Sequence, residues 1–80
     1  MNDYESKLRR AAVMQRLETD PVQADWWAGY MRGLRRGHHG EIFGTEHEHQ
    51  IWMSLAGSPD LLRDARGRGY RAGLAAAELA

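Results

Sequence analysis

Apolar positions recur with a helical period in four stretches of the chain, and no stretch shows the alternation of a strand. The most regular stretch begins at Thr19-Asp20-Pro21, a capping side chain followed by proline at the first helical position. From there to Arg36, Val22, Trp26, Trp27, Tyr30, Met31, Gly33 and Leu34 share one broad arc, and Asp25, Arg32, Arg35 and Arg36 take the opposite face. Gly37 is read as the end of this helix. Upstream, Asn2 or Asp3 caps a first helix reaching about Glu18. Its Tyr4, Leu8, Ala11 and Ala12 form one stripe, while Val13, Met14 and Leu17 point elsewhere. A helix with two weak apolar faces is either sandwiched or loosely docked. Downstream, Thr45-Glu46-His47-Glu48 matches a capping box. It opens a third helix from Glu46 to Ala56 that buries Ile51, Trp52 and Leu55 and stops at Gly57. Ser58-Pro59 repeats the cap-plus-proline signal and starts a fourth helix reaching about Glu78, with Leu61, Leu62, Ala65, Gly69, Tyr70, Ala72, Gly73, Ala76 and Ala77 on one half of its wheel. His38 to Gly44 reads as a compact loop pinned by Phe43. The expected fold is all-α, a compact bundle of four helices with short connections. It forms a single helical domain over residues 1–80, with residues 1–20 as an N-terminal helix that is either sandwiched or loosely docked.

One motif occurs twice in this pattern. Gly29-Tyr30-Met31-Arg32-Gly33-Leu34 and Gly69-Tyr70-Arg71-Ala72-Gly73-Leu74 share Gly-Tyr-x-x-Gly-Leu. Glycine inside a helix costs about 1 kcal/mol relative to alanine, and two glycines four residues apart lie on one face, which suggests close backbone approach. The second and fourth helices are therefore expected to cross closely, with Gly29, Gly33, Gly69 or Gly73 near the contact. In the fourth helix Arg66 falls within the apolar half. A buried arginine must be paired, and Glu48 or Glu41 is the expected partner. Glu48 itself lies on the apolar face of the third helix, where the capping box also accounts for it.

Composition narrows the functional classes. Eighty residues without cysteine exclude disulfides and cysteine metal sites. No apolar run approaches the roughly 20 residues of a membrane span, and the first twenty residues have no signal-peptide core, so a cytoplasmic protein is expected. Net charge is zero, so no global field draws the chain to nucleic acid. The charge is nevertheless uneven: Trp26 to Gly40 contains three arginines and no acid, and Glu41 to Asp60 contains four acids and no Lys or Arg.

Candidate chemistry is sparse. His38, His39, His47 and His49 lie close in sequence beside Glu41, Glu46 and Glu48, which raises a His/Glu metal module as a third-ranked reading. The spacing is poor for it, since His47 and His49 are about 200° apart on a helix and the position four after His47 is Ile51. There is no nucleophile elbow and no strand before the glycines to make a phosphate loop, so neither an enzyme nor a cofactor is expected. The outward Arg32, Arg35 and Arg36, with His38, His39 and Glu41 in the following loop, form the candidate partner-binding surface, because arginine is a frequent interface hot spot and loops on rigid scaffolds carry function. The same basic face could contact nucleic acid directly, the second-ranked reading, as in a small phage regulatory protein.

The stretch from Trp26-Trp27-Ala28-Gly29-Tyr30 to Gly44-Thr45-Glu46, followed by Trp52-Met53-Ser54-Leu55 and by Arg66-Gly67-Arg68-Gly69-Tyr70-Arg71-Ala72-Gly73-Leu74, resembles small proteins of proteobacterial prophages and mobile elements. Anti-CRISPR inhibitors of type I systems are among these, and the chain resembles them in size, compactness and lack of catalytic motifs. The resemblance implies stoichiometric binding to a Cas protein or to the type I surveillance complex of a bacterial host, blocking target DNA or nuclease recruitment. Many anti-CRISPR proteins are strongly acidic; this chain is not, which counts against DNA mimicry.

Overall fold

The computed structural model describes residues 3–78. It is an all-α bundle of four helices with short connecting loops: α1 (Asp3–Leu17), α2 (Pro21–His39), α3 (Glu46–Met53) and α4 (Leu61–Glu78). A single 3-10 turn, Gly40–Ile42, follows α2.

The α2–α4 contact is the spine of the bundle. A Cβ placed on Gly29 would lie 2.0 Å from the Arg66 carbonyl oxygen, one on Gly33 would lie 2.1 Å from that of Tyr70, and one on Gly37 would lie 2.6 Å from the Ala77 methyl. The contacts advance along both helices together, so α2 and α4 run parallel. The reverse contacts match: Gly69 faces the Trp26 carbonyl at 2.0 Å, and Gly73 faces that of Tyr30 at 2.1 Å. Adding forty to the α2 residue and subtracting forty from the α4 residue turns Gly29–Arg66 into Gly69–Trp26 and Gly33–Tyr70 into Gly73–Tyr30, so the doubled motif is a local twofold between the two helices. The expected crossing is present, with all four glycines in it. Backbone touches backbone along the seam, and only glycine allows that.

Several boundaries differ from expectation, each for a local reason. Helix α2 continues through Gly37, because Gly37 is the third seam glycine at four-residue spacing, after Gly29 and Gly33. It ends instead at Gly40, whose φ of 67° favours glycine and whose N–H is donated to the Arg36 carbonyl. Helix α3 stops at Met53 because its last carbonyls have other donors: the Ser54 hydroxyl donates to Ile51 O at 2.7 Å, and the Arg71 guanidinium donates to Met53 O at 2.7 Å. Residues 54–57 then form turns, and Gly57 donates its N–H to the Asp64 carboxylate. Helix α4 starts at Leu61 rather than Pro59, because the Asp60 carboxylate accepts from the Leu62 and Arg63 N–H groups. Asp20 caps α2 and Thr45–Glu48 forms a capping box on α3, as expected. The expected cap of α1 at Asn2 lies outside the described residues.

Helix α1 is docked, not loose, along its first three turns. Tyr4 and Ala11 are buried, and the Lys7 ammonium donates to the Ala76 carbonyl at 3.0 Å, tying α1 to the end of α4. The bundle measures 37 × 31 × 17 Å, about two packed helices thick. So thin a body leaves each helix a solvent face. Among the described residues, full apolar burial is confined to Tyr4, Ala11, Leu34, Ala65 and Tyr70. The expected core residues Ile51 and Leu61 are exposed, and Trp52 and Leu55 are only half-buried.

Candidate functional site

The polar chemistry gathers where α3 returns across the spine. Arg32 and Arg36 are one turn apart on α2, and both turn toward α3. The Arg32 guanidinium lies over the Trp52 ring, 4.6 Å from its centroid, and faces Phe43 at 5.3 Å; it also pairs with Glu48 at 3.3 Å. Arg36 donates through Nε to the Gly44 carbonyl at 2.8 Å and pairs with Glu46 at 3.4 Å, with only 14% of its side chain exposed. These arginines therefore clamp α3 and its leading loop to α2. The expectation that Arg32 and Arg36 form an outward binding face is corrected: in a bundle this thin, their long apolar stems cover the α2–α3 junction.

The floor of the junction is Tyr70, 1% exposed, whose hydroxyl lies 2.6 Å from His49 Nδ1. Trp52 packs on Tyr70 with ring centroids 5.6 Å apart. Burial raises the Tyr70 phenol above its ordinary value, and the Arg36 and Arg32 charges partly oppose this. Above it, hydrogen bonds from the Thr45 N–H and hydroxyl, with a smaller contribution from Arg32, hold the Glu48 carboxyl below the usual range. The Gln50 amide does most to lower Glu46, assisted by His49 and Arg36. Arg32, Arg36, Phe43, Gly44, His49 and Trp52 close over Tyr70 without room for a water molecule, so this is packing rather than a ligand cavity. Residue spacing carries no sign of the His49–Tyr70 bond, which joins residues 21 apart.

The rest of the predicted surface stays outside. Arg35, His38, His39 and Glu41 are exposed at the end of α2 and in the 3-10 turn. His38 stacks on Tyr4 with centroids 3.9 Å apart and planes within 3°, and His39 Nε2 is 3.3 Å from the Tyr4 hydroxyl. The two adjacent histidines thus serve α1 docking with their rings while keeping their edges in solvent. Beyond them Ile42 is 96% exposed, although its segment is held on both sides by Arg36–Gly44 and by the Phe43 N–H to Gly40 carbonyl bond. Phe43, the expected pin of this loop, is half-buried, while its neighbour Ile42 turns outward. Among the described residues, no three His or acidic side chains converge in a way that could hold a metal ion.

The expected partner of Arg66 is also corrected. Its guanidinium pairs with Asp25 at 2.9 Å, across the parallel seam, and not with Glu48 or Glu41. Glu48 is committed to Thr45 and Arg32, and Glu41 is exposed in the turn beyond α2. Asp25 lies one turn before Gly29, which itself faces Arg66. No helix among the described residues is long and apolar enough to cross a membrane. No protein-family model, curated protein or solved structure matches this chain.

Proposed function

We propose that the protein is a non-enzymatic binding protein that acts by covering a surface on a macromolecular partner. The observation that carries this reading is the held but exposed tip at the end of α2. Ile42 is almost fully exposed on a turn fixed by Arg36, with Arg35, His38, His39 and Glu41 exposed around it. An apolar side chain presented rigidly among charged groups can act as an anchor with little ordering cost on binding. The absence of an open cavity at the polar cluster favours this reading over catalysis.

The resemblance to prophage proteins supports a specific partner: a Cas protein or the surveillance complex of a type I CRISPR system in a bacterial cytoplasm. The bound protein would block target DNA or nuclease recruitment. The test is binding of the purified protein to purified type I surveillance complexes, compared with Arg35→Glu and Ile42→Asp variants. Both variants should keep the parent melting temperature and lose binding by tenfold or more. Lack of binding to every complex tried would overturn the partner, and retained binding by both variants would overturn the surface. Arg32→Glu is unsuitable for this purpose, since it would detach α3.

A further inference from the structure

Helix α1 docks by one side only. Tyr4 and Ala11 are buried on that side, with Leu8 and Gln15 half-buried beside them. On the opposite side Arg10, Val13, Met14, Arg16 and Leu17 are all exposed. At 100° per residue, Val13 and Leu17 run down the middle of that arc. Arg16 lies along one edge, and Arg10 and Met14 lie along the other. Between Glu5 and Glu18 the helix contains no acid. Arg10 and Arg16 have no ion pair among the described residues, so the apolar stripe is bordered by uncompensated positive charge.

We infer that this face is a second interaction surface, and that its partner is an amphipathic helix of another protein whose apolar stripe is edged by Asp or Glu. The charge selects this occupant. A second copy of the chain would set Arg10 and Arg16 against the same arginines with no acid between them. A lipid surface fits poorly for a different reason. The exposed apolar stripe is only three side chains, Val13, Met14 and Leu17, whereas a membrane-bound helix sinks a whole apolar face about 5–10 Å into the headgroup region. A convex two-turn ridge with apolar side chains at i, i+1 and i+4 suits the groove of a facing helix. The site is separate from the Ile42 tip. Tyr4, in the first turn of α1, touches His38 and His39, and Val13 to Leu17 lies about 14–20 Å further along the helix axis.

The probes are two synthetic helical peptides with the same leucine stripe, one edged by glutamate and one by lysine. They are titrated into isotope-labelled protein and followed by amide shifts. The glutamate-edged peptide should shift Arg10, Val13, Met14 and Leu17, and the lysine-edged peptide should bind at least tenfold more weakly. Arg10→Glu/Arg16→Glu should reverse that preference, and Leu17→Ser should weaken binding about tenfold without changing the melting temperature. The inference is overturned by equal binding of both peptides, by no shifts on α1, by tighter binding to phosphatidylserine vesicles than to the peptide, or by self-association through this face.

Discussion

Replacing Gly33 with alanine adds a single methyl, and the geometry of the seam says it should be severe. The new Cβ would lie 2.1 Å from the Tyr70 carbonyl oxygen, 2.9 Å from Leu74 N and 3.0 Å from Gly73 Cα. Ordinary contact begins near 3.4 Å, so α2 and α4 must separate by about 1.3 Å at that level. Every obstructing atom is backbone, and no rotamer change can relieve the overlap. Overpacking costs about 1–3 kcal/mol when side chains can adjust. Here the cost lies at or above the upper end, because a gap of 0.5–1 Å already forfeits roughly a quarter to a half of the dispersion well at neighbouring contacts. Alanine returns about 1 kcal/mol through helix propensity. The net loss is about 2–3 kcal/mol, against a total stability of roughly 4–12 kcal/mol for a chain of this length.

Thermal melting followed by circular dichroism reads this directly. At about 4–8 °C per kcal/mol, Gly33→Ala should lower the melting temperature by about 8–24 °C. Gly44→Ala is the control: its Cβ would meet only the Arg36 side chain, at 3.5 Å from Cδ and 3.8 Å from Nε, and its melting temperature should stay within about 3 °C of the parent. Gly37→Ala falls between them, since the obstacle is the Ala77 methyl at 2.6 Å, and Ala77→Gly should rescue it. A Gly33→Ala protein that melts with the parent would refute the parallel glycine seam.

Arg36→Ala should cost about 1.5–3 kcal/mol, the range for a hydrogen bond with a charged partner, and should speed amide exchange at Gly40 to Gly44, since it frees the Gly44 carbonyl. Asp25→Ala should cost only about 0.5–1 kcal/mol by urea melts, because the Asp25–Arg66 pair is partly open to solvent; a loss above 3 kcal/mol would mean that the pair is effectively buried. Tyr70 predicts an alkaline limb in stability. Its folded pKa is raised, so the unfolded chain loses the proton first, and stability should fall as pH climbs from about 10 through the folded value. That limb should be shallower in Tyr70→Phe. On the acid side, Glu46, Glu48 and Asp64 are all lowered, so their contribution is present above the ordinary carboxylate range and is lost as pH drops through their folded values; α3 amides should exchange first.

The sequence pattern foretold the parts of this fold that rest on local chemistry. Asp20-Pro21 and the Thr45–Glu48 box mark helix starts because the cap and the helix lie within one turn of each other. The glycine pairs announced their crossing because mid-helix glycine is unfavourable unless something approaches the backbone. Gly37 was misjudged because its role depends on Ala77, forty residues away, and a glycine after a basic run has the look of a C-cap. Arg66 was rightly expected to need an acid, but the choice of Asp25 over Glu48 follows from the parallel direction of α2 and α4. Nothing in the residue spacing reports that direction. The inward turn of Arg32 and Arg36 was hidden for a similar reason. A helical wheel places charged residues opposite the main seam, yet α3 packs across that second face, where an arginine stem can cover it while the planar guanidinium lies on a ring or bonds two partners.

The parallel seam also explains why the candidate surfaces lie where they do. Two antiparallel helices can be joined by a short turn, but parallel neighbours need a return of the full helix length. In this chain residues 40–60 make that return, through the 3-10 turn, α3 and the Gly57 turn. The return must be fastened to the outside of a spine whose contact face is already filled with backbone. Arg32, Arg36 and Arg71 do the fastening from the helices, and the buried Tyr70 hydroxyl meets His49 from below. Substitutions at these residues would disturb the bundle itself. The two candidate surfaces fall at the two ends of α1: the Arg35–Ile42 tip beside Tyr4, and the Arg10–Leu17 face beyond it; Ile51 on α3 and Leu61 and Leu62 on α4 are exposed elsewhere. Charge reversal separates the two classes. Arg32→Glu would place a carboxylate against Glu48 and remove the cation from the Trp52 ring, so it should lower the melting temperature together with any activity. Arg35→Glu should leave melting unchanged, and any activity it removes is therefore contact.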